Sequence, residues 1–178
     1  MVTILKKELI DNLGLIATLK EVSDNMCQDE ERKCIDFDKF PSFCLEECRV
    51  SQNQPATVDA LILNFSEKHI LFVEFKDLKT VAQAKEWLTK VKLQQVFLKI
   101  HESFHMLSKY IVTKALASYD EFYSYKKSVL IVYDVKDTKR VFHKHFKGKV
   151  NRFRYLVEEE LVINCKQFIN FIERENLC

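Results

Sequence analysis

The segment "TVDALILNFSEKHILFVEFKDLKT", residues 57–80, constrains the fold more than any other part of the chain. It holds two apolar runs, 57–65 and 69–76, rich in the β-branched and aromatic residues that suit a pleated, half-buried surface. So short a connection between two strands makes a hairpin, with its turn at Ser66-Glu67. Antiparallel pairing about that turn sets opposite each other residues whose numbers sum to about 133, the register a Ser66-Glu67 turn imposes. Asp59 then faces Glu74, and Lys76 shares the face of Glu74 because side chains alternate along a strand. Charges within buried strands cost several kcal/mol unless they are paired, so this end of the hairpin demands a chemical reason.

The surroundings are read from periodicity. Leu5, Leu9, Leu13, Ile16 and Leu19 recur at spacings of three and four and predict a helix over 2–22. Residues 26–43 show no regular pattern, and 43–50 reads as a strand. Thr80 and Gln83 form a T-x-x-Q capping box opening a helix that runs to about residue 117. Its apolar stripe is Leu93, Phe97, Ile100, Phe104, Leu107 and Ile111. "SVLIVYDV" (128–135) reads as a buried strand, and 164–176 as a last helix capped by Asn164. The expectation is an α/β fold, one domain over 1–178, in which the long helix carries the crossover to the last strand.

Two carboxylates placed across one hairpin repel each other, and a divalent cation removes the conflict. Hard oxygen ligands suit Mg²⁺ or Mn²⁺. A lysine beside such an ion can orient or deprotonate a water or stabilise phosphoryl charge, which is the chemistry of phosphodiester hydrolysis.

In these residues, Asp59 opening one strand and Glu74-Phe75-Lys76 ending the next, the chain resembles the PD-(D/E)xK nuclease superfamily. The resemblance covers about residues 1–136. It implies a restriction-endonuclease-like core, a central mixed β-sheet flanked by helices. It implies that Asp59, Glu74 and the Phe75 backbone carbonyl bind Mg²⁺ or Mn²⁺, that Lys76 handles the attacking water, and that the protein is a nuclease, foremost a DNA endonuclease. One site acting on both strands of a duplex would imply a homodimer. Gln94 or Gln95 stands where RecB-like members carry a glutamine, without the tyrosine that often follows. Pro55 lies four residues before Asp59 instead of beside it. Glu8, Glu21, Glu30, Glu31, Glu46 and Glu47 are all candidates for the upstream glutamate that many members carry.

Other signals compete. "HESFH", residues 101–105, matches H-E-x-x-H, which on a helix grips zinc through His101 and His105 with Glu102 as general base. It is the basis of an alternative reading as a zinc metalloprotease, with Asp120 or Glu121 needed as a third ligand. A non-catalytic nuclease-like domain that binds nucleic acid or a partner is a further alternative. Cys27, Cys34, Cys44 and Cys48 cluster ahead of the hairpin, and they are read, with Cys165 and Cys178, as reduced thiols. That follows from an N-terminus, "MVTILKKELIDNLG", whose charges interrupt any signal-peptide core, and hence from an expected cytoplasmic setting. No apolar run approaches the ~18 residues of a membrane span.

Net charge is only +2, but 136–154 holds eight Lys or Arg against one Asp, so +7, and the remainder sums to −5. Arg140, Lys144, Lys147, Lys149 and Arg152, interleaved with aromatic residues, are the expected contacts to nucleic-acid phosphates. Lys79, Lys85 and Lys92 are the next set of cations.

Overall fold

The computed structural model describes residues 1–48, 55–64, 68–78, 80–87, 90–133 and 159–175. The basic segment 136–154, with Arg140, Lys144, Lys147, Lys149 and Arg152, lies outside the described residues, as do the hairpin turn and Lys79. Among the described residues the order is α1 (Val2–Lys7), continued by a π-helical turn (Glu8–Asn12), β1 (Ile16–Thr18), α2 (Leu19–Val22), β2 (Lys33–Asp36), α3 (Phe40–Cys48), β3 (Ala60–Asn64) and β4 (His69–Lys76). Then follow α4 (Val81–Trp87), α5 (Lys90–Thr113), α6 (Tyr119–Ser124), β5 (Lys126–Tyr133), β6 (Glu159–Asn164) and α7 (Cys165–Glu175).

The strands form one mixed sheet in the order β1-β2-β3-β4-β5-β6. β1 to β4 pair antiparallel; β4–β5 and β5–β6 pair parallel. The hairpin register is Ala60↔Val73 through Asn64↔His69, the pairing that a sum of 133 gives. The helices α4, α5 and α6 carry the crossover from β4 to its parallel neighbour β5, as parallel pairing requires.

Alternation along the strands sends each face to its own core. Leu61, Leu63, Ile70 and Phe72 join Ile100, Phe104 and Leu107 of α5 and Phe40 and Cys44 of α3 on one face. Ala60, Ile62, Leu71, Val73 and Phe75 join Phe168 and Ile172 of α7 on the other. By the same alternation Asp59, Glu74 and Lys76 belong to the face that α5 covers.

Several sequence expectations are corrected. The first helix stops at Asn12: Gly14 turns the chain at φ +64, a conformation glycine adopts without penalty. Residues 16–18 then extend as β1, and Thr18 caps α2 in a reciprocal box with Glu21. The stretch 43–50, expected as a strand, is helical through Cys48, because Phe40 and Cys44, four apart, are both fully buried on one helix face. Pro41 sits in the first turn, where its missing N–H breaks no helical hydrogen bond. The helix expected over 80–117 is described over Val81–Trp87 (α4) and Lys90–Thr113 (α5), with residues 88–89 outside the described residues; it ends at Thr113, ahead of the separate α6. Its Thr80–Gln83 box is formed, with reciprocal bonds of 3.0 and 3.1 Å. β6 had no sequence expectation. Asn164 caps α7 through the Gln167 N–H at 2.8 Å.

The cysteines are not all reduced thiols. Cys27 and Cys165 form a disulfide with Cα atoms 5.5 Å apart, because the turn after α2 and the start of α7 meet over the same core. Arg32 pairs with Asp29 and with Glu173 of α7. Cys34 and Cys44 are buried thiols. Among the described residues no helix is long and apolar enough to cross a membrane.

Candidate functional site

β4 delivers the two central groups. Glu74 is fully buried on the α5 side of the sheet, and Lys76 lies one pleat further, with a side chain 20% exposed. The ring of Phe75 points the opposite way, edge-on against Phe168 at 5.6 Å, which anchors the strand between them. These residues lie at the C-terminal end of a strand whose neighbour β5 runs parallel, where open α/β sheets commonly place their ligands.

Asp59 is held just ahead of β3 by contacts from three directions. The Phe75 N–H donates to Asp59 Oδ2 at 2.6 Å. The Phe37 N–H donates to the Asp59 carbonyl at 3.0 Å. Helix α5 straps the preceding residues: Glu102 accepts the Ala56 N–H at 2.6 Å, and Ser103 Oγ accepts the Val58 N–H at 2.8 Å. A carboxylate fixed in this way needs little reorganisation to bind a cation.

A fourth residue completes the cluster. Lys99 of α5 donates to Asp59 Oδ1 at 3.1 Å and to Glu74 Oε1 and Oε2 at 3.0 and 3.1 Å. Lys76 pairs with Glu74 Oε1 and lies over the Trp87 ring of α4, 5.7 Å from its centroid. Two carboxylates and two ammonium groups therefore share one end of the sheet. Burial, then repulsion from Asp59, raises the Glu74 pKa above the ordinary carboxylate value, while Lys76 and Lys99 oppose that rise. Burial works to lower the Lys99 pKa, but the Glu74 and Asp59 charges outweigh it and hold the ammonium well above its ordinary value.

Asp38 stands at the rim in the turn between β2 and α3. Its carboxylate accepts from Thr57 Oγ1 at 3.3 Å, and partial burial followed by the Asp59 charge raises its pKa. Neither Lys99 nor Asp38 is among the sequence candidates. A signal for Lys99 exists, however: Val96, Lys99, Ser103, Met106 and Tyr110 recur at helical spacing. All but Lys99 are buried, so the lysine interrupts a stripe that faces the protein.

The remaining candidates are placed elsewhere. Glu8 accepts from the Tyr110 hydroxyl at 2.6 Å. Tyr110 is eleven residues beyond Lys99, roughly 16 Å along the helix, so Glu8 does not complete this cluster. Glu21 caps α2, and Glu30 pairs with Lys20. Glu31 is exposed, and the side chains of Glu46 and Glu47 are outside the described set. Gln94 and Gln95 are exposed on α5, four to five residues before Lys99. His101 and His105 are exposed, while Glu102 is engaged with the Ala56 N–H. Asp120 is exposed on α6, and Glu121 pairs with the N-terminal ammonium at 3.1 Å.

Among the described residues no three His, Cys, Asp or Glu side chains come together in an arrangement that could hold a metal ion. A Mg²⁺ ion does not require three: it is commonly bound by one or two carboxylates and completes its octahedron with waters and substrate oxygens. The donor set here fits that pattern, with hard oxygens from Asp59 and Glu74 that the Lys99 ammonium bridges. A cleft of about 410 Å³ lies away from this cluster, lined by Ile16, Lys33, Cys34, Ile62 and Leu63 among others, and none of the four charged residues lines it.

Compared with known proteins, the chain matches no family model, no curated protein and no solved structure.

Proposed function

We propose that the protein is a metal-dependent phosphodiesterase of the PD-(D/E)xK nuclease type, acting on nucleic acid and foremost on DNA as an endonuclease. The observation that carries this reading is that one cation, Lys99 Nζ, bridges Asp59 and Glu74 at 3.0–3.1 Å with Lys76 alongside. The pair is thus arranged to share a single positive charge. The strand order, an antiparallel meander followed by a parallel strand across a helical crossover, supports a restriction-endonuclease-like core.

In this reading Asp59 and Glu74 hold Mg²⁺ or Mn²⁺, together with the Phe75 carbonyl. A bound divalent ion supplies Lewis acidity toward the phosphoryl oxygens. Lys76 Nζ, steered by Glu74 and by the face of Trp87, orients the attacking water. Buried side chains on the α5 face limit solvent around the carboxylates, so charges there act with less screening. The basic segment 136–154 supplies sequence-independent contacts to backbone phosphates. The reading places the protein with its nucleic acid and not at a membrane; the cytoplasmic setting expected from the sequence has the Cys27–Cys165 disulfide against it.

One observation favours a second reading. Two carboxylates and two ammonium groups balance each other without a metal, as in a non-catalytic domain that binds nucleic acid or a partner. The deciding experiment incubates the purified chain with supercoiled plasmid, single-stranded DNA and RNA, each with Mg²⁺, Mn²⁺, Zn²⁺ or EDTA. Cleavage with Mg²⁺ or Mn²⁺ and none in EDTA is expected. A folded chain that binds these substrates and cleaves none of them favours the second reading, and activity confined to Zn²⁺ rejects the proposed metal.

A further inference from the structure

We infer that Lys99 is the resident counter-cation of the Asp59–Glu74 pair, displaced when a divalent metal arrives and then available to the phosphate of the substrate. The inference rests on the metal-dependent reading and goes beyond it, because it gives a role to a residue outside the Asp59, Glu74 and Lys76 set.

The geometry defines the competition. Asp59 Oδ2 is taken by the Phe75 N–H, and Glu74 Oε1 is shared between Lys76 and Lys99. Asp59 Oδ1 and Glu74 Oε2 are the oxygens best placed to bridge an ion, and both accept from Lys99 Nζ at 3.1 Å. A Mg²⁺ or Mn²⁺ ion bound to those oxygens at about 2.1 Å would crowd the ammonium. Two cations so close repel strongly even at the effective dielectric of a protein surface. Metal and Lys99 therefore exclude one another.

The lysine has somewhere to go. Its side chain is 26% exposed, and its neighbours Gln95 and Leu98 on α5 face solvent. A flexible four-carbon stem lets the ammonium leave the carboxylates without moving the helix. Once displaced it remains within electrostatic reach of Asp38 at the rim, and a phosphodiester brought to the metal supplies a further anion. Lys76 does not make the same exchange, because its carboxylate partner is Glu74 Oε1 and its body rests on Trp87.

Mn²⁺ titration followed by electron paramagnetic resonance of the free ion tests this without any turnover, on the full chain and on Lys99→Met and Lys99→Arg. Removing the competing cation should tighten Mn²⁺ binding in Lys99→Met by on the order of tenfold. Lys99→Arg, whose planar fork grips carboxylates in bidentate fashion, should bind Mn²⁺ more weakly than the natural chain. Equal affinity in the natural chain and Lys99→Met would overturn the role of Lys99 while leaving the metal site intact. Absence of stoichiometric Mn²⁺ binding in every form would overturn the metal-dependent reading, and this inference with it. If Lys99→Met does not fold, Lys99→Arg decides, and an affinity equal to or above that of the natural chain rejects the inference.

Discussion

Two lysines held inside this protein show how differently the same charge can be used. Lys127, at the start of β5, is 4% exposed. It donates to the Tyr123 carbonyl at 3.0 Å and to the Tyr125 carbonyl, and it lies over the rings of Phe122, Tyr123 and Phe104 at 5.0, 5.5 and 5.9 Å. The carbonyls belong to the backbone and the Phe104 and Phe122 rings to the core, with the exposed Tyr123 ring closing over them, so the ammonium is held by groups fixed in the fold. Lys99 is held by the carboxylates of Asp59 and Glu74, side chains that in the proposed function also serve a divalent cation. The first lysine is thus part of the packing, and the second occupies a position that can change hands.

The largest expected effect separates Lys76 from both. Lys76→Ala should keep its metal and lose roughly 10²–10⁴ in cleavage rate, the range for removing a group that handles a proton or water. Single-turnover cleavage alongside Mn²⁺ titration checks it, and loss of metal binding would show that Lys76 instead supports the ligands.

The next effect tests the comparison itself. Lys99→Met leaves Glu74, fully buried, and Asp59 facing each other with less compensation, so unfolding in EDTA should become easier by roughly 3 kcal/mol. Saturating Mn²⁺ should return most of that loss. Lys127→Met should lose about 2 kcal/mol through carbonyls left without their donor, and Mn²⁺ should return none of it beyond what it gives the natural chain. Urea unfolding with and without metal measures both. Equal rescue of the two variants would abolish the distinction.

The basic segment provides a third kind of lysine, expected to meet solvent and phosphate. Replacing Lys144, Lys147 and Lys149 with Ala should weaken binding to all sequences alike. The plot of log affinity against log salt should become shallower by about 0.9 for each duplex phosphate that the variant leaves un-neutralised. An unchanged slope would assign substrate binding to another surface.

The smallest effect lies at the far end of α5. Tyr110 donates to Glu8 and holds its pKa below the ordinary 4.5, with Asn12 and Lys114 assisting. A lowered carboxylate pKa stabilises the fold above the ordinary value, and that contribution disappears as pH falls through the folded value. Tyr110→Phe should cost about 1 kcal/mol at neutral pH and flatten the dependence of stability on pH below 5. A cost that persists undiminished at pH 3 would assign it to packing.

What could be read in advance follows from how local each signal is. The hairpin was legible because alternation and a short turn fix register by counting, and Asp59 opposite Glu74 is a consequence of that counting. The Thr80 and Asn164 caps were legible because a cap spans only three residues. β1 was hidden because Leu9, Leu13 and Ile16 continue a helical spacing through Gly14, and only the left-handed turn there interrupts it. α3 is ambiguous in sequence because Phe43, Cys44, Leu45 and Cys48 fit either period, and only the joint burial of Phe40 and Cys44 in the fold selects the helix. The disulfide joins residues 138 apart in sequence, and no local pattern encodes that meeting. Lys99 fell between: its place within a buried stripe was visible, but its partners belong to other elements.

Glu74 is where the whole account is most exposed to test. It is fully buried, touches both lysines of the cluster, and in the proposed function is a metal ligand. Glu74→Gln conserves its shape and removes its charge. The direct measurement is cleavage of a phosphodiester substrate in Mg²⁺ by the natural chain and by Glu74→Gln, with circular dichroism verifying the fold of each. The natural chain is expected to cleave, and the variant to lose at least ~10³ in rate, about 4 kcal/mol of transition-state stabilisation. A folded Glu74→Gln protein that cleaves at the rate of the natural chain would contradict it.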